Sequence, residues 1–434
     1  MRAKRRRATS GHCHAMFIHL RSHLGTVFFG WWIVGGAAGV QFLLSVLLLQ
    51  AYGAYAAIWR EEFGWSATVL ALAYALHRAE TGLLGPAQGW LIERFGAQNV
   101  MRVGVVLLSV GFMLLSRIET LLAFYLTFAL MALGGSLLGI LSLMAVIVNW
   151  FRRKRATAMA VMQGGMSVGG LAVPVTAWAL LTFGWRDVAM ASGLITLVSG
   201  LFITQLMRST PEELGLHPDG LDTNEAKGAD RDGDLAAEPE YTARQALATS
   251  SFWLLSIAHA AAVTIVSAVL VHLVLHLHTG LGYSIQTAAL VFALVTASSL
   301  VGLVLGGAVG DRFDKRTIAA LAMIGHASAL LALALGASAA WVVFFAVMHG
   351  LAWGVRGPLM GALRADYFGR KSFPTIMGLS SVIVMFGSMA GPVVAGSLAD
   401  LLGDYRVSFS ILAAVGFAGA ASFLLASKPK ARAP

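Results

Sequence analysis

From residue 27 onward the chain alternates long apolar runs with short polar clusters. A helix that crosses hydrocarbon needs roughly 20 mostly apolar residues. Twelve stretches meet that requirement, at about 31–58, 66–92, 98–116, 120–148, 156–181, 186–207, 251–277, 284–310, 317–336, 338–363, 373–400 and 407–427. They predict an all-α integral membrane protein of twelve transmembrane helices. One long segment breaks the pattern. Residues 209–249 carry ten acids and almost no large apolar side chains, so they cannot bury a core of their own and read as a linker. The expected organisation is a basic tail over 1–29, a six-helix bundle over 30–207, an acidic linker over 208–249, a second six-helix bundle over 250–427 and a short tail over 428–434.

The two bundles repeat each other. The phrase GWLIERFG at 89–96 returns as GAVGDRFD at 307–314, a displacement of 218 positions (307 minus 89) that aligns Gly89, Glu93, Arg94 and Phe95 with Gly307, Asp311, Arg312 and Phe313. The same displacement aligns Gly64, Trp65 and Ser66 with Gly282, Tyr283 and Ser284. One of 217 aligns Trp150, Phe151, Arg153 and Lys154 with Tyr367, Phe368, Arg370 and Lys371. Three landmarks in one order, all at span boundaries, indicate a duplicated six-helix unit, an architecture known among secondary transporters.

Composition agrees with the pattern: 58% of residues are hydrophobic, 12% are charged and the mean hydropathy is +0.76. The net charge of +10 invites a nucleic-acid reading, but the distribution of the charges excludes it. If the N-terminus is cytoplasmic, 25 of the 31 lysines and arginines fall on that side, and only Arg60, Arg117, Arg186 and Arg406 fall opposite. That bias predicts cytoplasmic termini and linker in a multi-pass cell-membrane protein, lodged in the inner membrane if the source is Gram-negative. The 48 glycines lie mostly inside the spans, where small residues let helices approach closely. Cys13 is the only cysteine, so no intramolecular disulfide can form.

A glycine, three residues, an acid, a basic residue, one more residue and a glycine, between the second and third spans, resembles the signature loop of the major facilitator superfamily. Gly89, Glu93, Arg94 and Gly96 fit that pattern, though Ala97 and Gln98 stand where the family often has basic residues. In the second copy Gly307, Asp311, Arg312, Lys315 and Arg316 fit, and Asp314 replaces the glycine. The runs AMAVMQGGMSVGG and ADYFGRKSFPTIMGL further resemble the monocarboxylate and oxalate:formate branches. The resemblance implies a central cavity lined by the first, fourth, seventh and tenth spans. It also implies a conformational latch: Glu93 would accept hydrogen bonds from the exposed amides that begin the eleventh span, near Ser372, where the helix dipole favours an anion. The plainer alternative is that Glu93 and Arg94 only fix topology.

Few ionisable residues interrupt the spans. They are His77, Arg78 and Glu80 in the second, His259 in the seventh, His326 in the ninth, and His349 and Arg356 in the tenth. An arginine at mid-depth costs about 2.5–3.5 kcal/mol on insertion scales, so a function or a partner is expected. His349, Trp353, Arg356 and Met360 share one helical face, with Gly350, Gly354, Gly357 and Gly361 on a separate strip. This makes Arg356, His349 and Trp353 candidate substrate ligands, with a structural interhelix pair as the alternative for Arg356. Gln41, Ser45, Tyr52 and Gln163 are candidate polar lining. His77 and Glu80 lie three residues apart and can meet as a proton carrier, with Arg78 nearby, or as a purely structural pair. Two mid-span arginines against one mid-span acid favour an anionic substrate, because a guanidinium fork matches a carboxylate.

Other signals carry less. GGSLLG at 134–139 has no preceding strand and reads as helix packing. His272 and His276 lack a further ligand, and the linker acids fit no calcium loop, so no metal or other cofactor is expected. No nucleophile has a base and an orienting group, which argues against an enzyme. The expected function is secondary transport of a small organic anion, a monocarboxylate above all, by proton symport or exchange with a counter-anion, in a monomer with no nucleic-acid partner. Efflux of amphipathic compounds is the alternative within transport. A non-transporting membrane sensor is the alternative outside it.

Overall fold

The computed structural model describes residues 27–221, 240–336 and 338–429, and the side chains of several second-span residues, His77 and Arg78 among them, lie outside that description. The described residues are helical almost throughout and contain no strand, as a chain in hydrocarbon must be when each backbone N–H and C=O has to be satisfied within its own segment.

Four of the six spans before the linker are jointed, the third and sixth being continuous. The first runs Phe29–Leu44, passes through a π turn at Ser45–Leu49 and continues as Tyr52–Phe63. The second consists of Ala67–Leu83 and Gly85–Phe95, parted at Leu84 where Pro86 removes a backbone donor. The third is Ala97–Leu115. The fourth is Leu121–Leu138 and Ile140–Trp150, broken at Gly139, whose backbone is extended. The fifth, Arg155–Leu171 and Val173–Phe183, bends by 41° ahead of Pro174, and the sixth is Trp185–Leu206.

From the eighth onward the later spans are unbroken helices. The seventh is Ser250–Leu275 with a π turn at His276–Gly280, and the eighth is Ile285–Gly310. The ninth is Lys315–Leu335, the tenth Ala339–Phe368, the eleventh Phe373–Leu402 and the twelfth Arg406–Leu425. Ten of these helices are long and apolar enough to cross a membrane, or eleven with the bent fifth span counted as one. The expected second span is helical as well. Its pieces of 17 and 11 residues are each short of a crossing, and together they hold His77, Arg78 and Glu80.

The duplicated landmarks fold alike. Ser66 caps the second span by accepting from the Val69 amide, and Ser284 caps the eighth by accepting from Thr287. Glycines set the closest helix approaches. A Cβ on Gly354 would lie 2.0 Å from the Ser299 carbonyl oxygen, and one on Gly302 would lie 2.3 Å from that of Leu351, so the eighth and tenth spans touch backbone to backbone. Gly85 and Gly378 do the same for the second and eleventh spans, with Gly82 and Gly89 extending the seam. On the other side Gly307 and Gly310 lie against Ala156 and Thr157 of the fifth span. The halves therefore meet along two seams, second on eleventh and eighth on fifth.

Candidate substrate site and gate

Both seams end, beside the linker, at a carboxylate on a helix N-terminus. Glu93 Oε1 accepts from the Thr375 amide at 3.2 Å, two residues into the eleventh span, whose Pro374 has no N–H to offer. Asp311 grips the fifth span with both oxygens, accepting from the amides of Ala156 at 2.8 Å and Thr157 at 3.0 Å. These are counterparts in the repeat, and both exploit the unpaired amides and positive dipole end of a helix. Gly89 and Gly307 let each loop descend far enough, since a Cβ on Gly89 would sit 2.5 Å from the Pro374 carbonyl oxygen. Gly96 holds a φ of +81°, a value that favours glycine and lets the second span turn into the third. Arg94 and Arg312 are exposed.

A third tie lies beside them. Asp366, near the end of the tenth span, pairs with Arg155 of the fifth at 3.0 Å and with Lys315 of the ninth at 2.8 Å. Arg155 is itself buried and donates to the Val148 carbonyl. Sequence reasoning passed over Asp366. The signal was available, because the 217 displacement puts it opposite Asn149, a neutral residue. These ties join the two halves at the linker end of the bundle.

Deeper in, Arg356 is 3% exposed, and its Nε and one terminal nitrogen are buried with no hydrogen-bond partner among the described residues. Its neighbours follow from the glycine strip. Gly350 and Gly354 press on the eighth span, while Gly357 and Gly361 face the fifth: a Cβ on Gly357 would lie 2.7 Å from Gln163 Oε1, and one on Gly361 would lie 2.7 Å from Met159 Sδ. Arg356 thus sits one residue from the point where the two halves cross. There Gln163 also buries an amide nitrogen that has no partner among the described residues.

The remaining candidates are dispersed. His349 Nδ1 shares a hydrogen bond with His326 Nδ1 at 3.1 Å, and its ring stacks on Phe345. Trp353 is half-buried and Gln41 is buried. The Tyr52 hydroxyl donates to the Leu70 carbonyl, and its ring packs on Trp59 and Phe128. Ser45 donates to the Met166 carbonyl. Glu80 is half-buried, with one carboxylate oxygen lacking a partner among the described residues. His77 and Arg78, its expected companions, lie outside the described side chains.

Arg364 corrects the sequence reading, which counted it with the charges outside the membrane. It is 2% exposed, inside the tenth span. It donates to the carbonyls of Met360 at 2.9 Å and Leu255 at 3.3 Å and to Ser380 Oγ at 2.8 Å, with His259 Nδ1 at 3.5 Å. All these partners are neutral, so none of them compensates its charge. The later half therefore holds two buried guanidinium charges, and none of the partners described for either is a carboxylate.

Fold and site define a membrane carrier built from a duplicated helical bundle. The chain matches the Major Facilitator Superfamily over residues 26–299 and 252–434, and it belongs to that family. Its members are carriers, not enzymes. Among curated relatives it is 25% identical to monocarboxylate transporter 13 of Rattus norvegicus over 400 residues, 90% of this chain and 87% of that one. It is 28% identical to monocarboxylate transporter 11 of Homo sapiens over 422 residues, 93% of this chain and 84% of that one. Among solved structures the human organic anion transporter MFSD10 superposes with a TM-score of 0.69 at 16% identity, covering 91% of this chain and 98% of that one, which establishes the shared fold.

Proposed function

We propose that this transporter carries a small organic anion, a monocarboxylate above all, through a central site in which Arg356 holds the carboxylate. The observation that carries the reading is the buried guanidinium of Arg356, two of whose nitrogens have no partner among the described residues. A buried charge with nothing to pair with is expensive, and a transported carboxylate supplies the missing acceptor in fork geometry. The similarity to monocarboxylate transporters favours the same class. Gln163, one helix away, is placed to donate its unpartnered amide to the same anion. Residues 30–207 and 250–427 act as two rocking halves, joined by the 208–249 linker on the cytoplasmic side. Glu93, Asp311 and Asp366 latch them there while the site faces the other way.

The test uses purified protein and a panel of L-lactate, pyruvate and hydrophobic cations, read by thermal shift. L-lactate or pyruvate should stabilise the wild type. Arg356→Ala should insert and melt normally without ligand but lose that stabilisation, and Arg356→Lys should weaken binding roughly 10-fold or more because it keeps the charge and loses the fork. Stabilisation by the hydrophobic cations alone, or undiminished lactate binding by Arg356→Ala, would overturn the assignment.

A further inference from the structure

Two histidine rings lie against each other in the later half, sealed from solvent and joined through one nitrogen each. His326 of the ninth span and His349 of the tenth are both 0% exposed, with ring centroids 4.6 Å apart and an Nδ1 to Nδ1 contact of 3.1 Å. The Nε2 atom of each ring is buried and has no hydrogen-bond partner among the described residues. Among candidates outside the anion site this pair stands apart, because two fully buried titratable groups are spent on one hydrogen bond while two polar atoms go unsatisfied.

The arrangement fixes the protonation chemistry. A hydrogen bond between two Nδ1 atoms needs one to donate and the other to accept. In the neutral pair, therefore, one ring carries its proton on Nδ1 and leaves a bare Nε2 lone pair, while the other carries its proton on Nε2. A further proton added to that bare lone pair makes the first ring an imidazolium, which goes on donating Nδ1–H to its neighbour. No bond has to break and no tautomer has to change. The existing contact becomes a charge-assisted one, stronger than before. The pair is built to accept one extra proton and share the cost of its charge.

What opposes that proton is first the burial of the rings, which disfavours any charge there, and then Arg356. It follows His349 by seven residues, nearly two full helical turns, so the two share a face. Helical side chains lean toward the N-terminus, which brings the guanidinium back toward the rings. No other described ionisable group offsets it. The eighth span has none, the ninth has only His326 beyond the lysine and arginine at its start, and the twelfth has only Arg406 at its start. The seventh contributes His259 and His272, with His276 in its π turn, and the eleventh has only Asp400, near its end. The fifth has only Arg155 at its start, and the tenth adds Arg364 and, near its end, Asp366, already paired.

We infer that the His326–His349 pair is the proton carrier that couples to the anion held by Arg356, with one proton taken up for each anion bound. The inference rests on the proposed anion site. With Arg356 empty, its charge adds to the cost of burial and keeps the pair neutral. A carboxylate on Arg356 cancels that charge, and the proton, drawn from water on the side to which the site is open, then binds the free Nε2. Release of either partner restores the repulsion and expels the other, so the affinities rise and fall together, as linkage requires. For a monocarboxylate the loaded transporter carries no added net charge.

Two measurements on the full-length protein in lipid nanodiscs test this. The first needs no ligand: ring nitrogen signals of ¹⁵N-histidine-labelled protein, assigned with His326→Gln and His349→Gln, are followed against pH in the wild type and in Arg356→Gln. Removing the guanidinium should let the pair protonate at a pH at least one unit higher. Unchanged titration would overturn the coupling whatever the substrate is. The second follows L-lactate binding against pH. One linked proton makes wild-type binding weaken about tenfold per pH unit between the pH at which the empty pair loses its proton and the higher pH at which the lactate-bound pair does, and His326→Gln and His349→Gln should flatten that slope while still binding. A slope that survives both substitutions puts the proton elsewhere and overturns the assignment. If the wild type binds L-lactate at no pH, the anion reading fails for that class, while the first measurement still decides whether Arg356 controls the pair.

Discussion

Asp311 and Glu93 hold equivalent places in the repeat with unequal grips. Asp311 accepts from two amides in a partly buried setting, and Glu93 accepts from one in an exposed setting. An exposed charge at a helix end is worth about 0.3–1 kcal/mol, whereas hydrogen bonds to a charged group reach about 1.5–3 kcal/mol each when sheltered. Asp311→Ala should therefore shift the protein toward the linker-side-open form by a larger factor than Glu93→Ala, and both should keep substrate binding. Labelling of single cysteines near the fifth and eleventh span starts measures the shift, and equal labelling in the two variants would refute the ranking. Arg356 was legible in the sequence because it interrupts an apolar run alone. Arg364 was not, because it lies six residues from Arg370 and eight from Arg356, and spacing along a chain does not say which cation a neighbouring helix covers. Only the carbonyl of Leu255 and the hydroxyl of Ser380, remote in sequence, reveal its burial.

At the level of helices, apolar run length placed every span near its observed bounds, and the glycine strip of the tenth span announced a close neighbour. It could not announce that the strip serves two. Gly354 meets the eighth span within its own half, while Gly357 meets the fifth span across the divide. The difference gives a graded prediction. Gly354→Ala drives a methyl group into backbone at 2.0 Å and should lower membrane abundance and melting temperature, at a cost of at least about 1–3 kcal/mol. Gly357→Ala meets only the tip of Gln163, which can swing aside, so the protein should accumulate and show altered anion binding instead. Gly35→Ala, with nothing within 4 Å, should change neither. Equal loss of abundance in all three would mean that close approach is not what these glycines provide. The interruptions of the second, fourth and fifth spans were less readable. Prolines 86 and 174 flag two of them, but Gly139 looks like any other packing glycine until its backbone is seen to be extended.

For the molecule as a whole, the skew of lysine and arginine predicts cytoplasmic termini and linker, and reporter fusions at Ser10, Asp230 and Ala433 should all read cytoplasm; a signal from the opposite side at any one would break the topology. The joints have a mechanical consequence of their own. They crowd into residues 29–183, while the eighth to twelfth spans run unbroken for 20 to 30 residues each. A jointed arm thus works against a stiff one, and the stiff one holds Arg356 and the histidine pair. Strain from the latches would be absorbed at Leu84, Gly139 and Ala172 before it reached the charges, so the earlier half flexes while the later keeps its geometry. Deuterium should enter the backbone around those three joints well ahead of the corresponding depths of the eighth, tenth and eleventh spans, and a compliance so divided would let the binding pocket ride through each stroke without being remade.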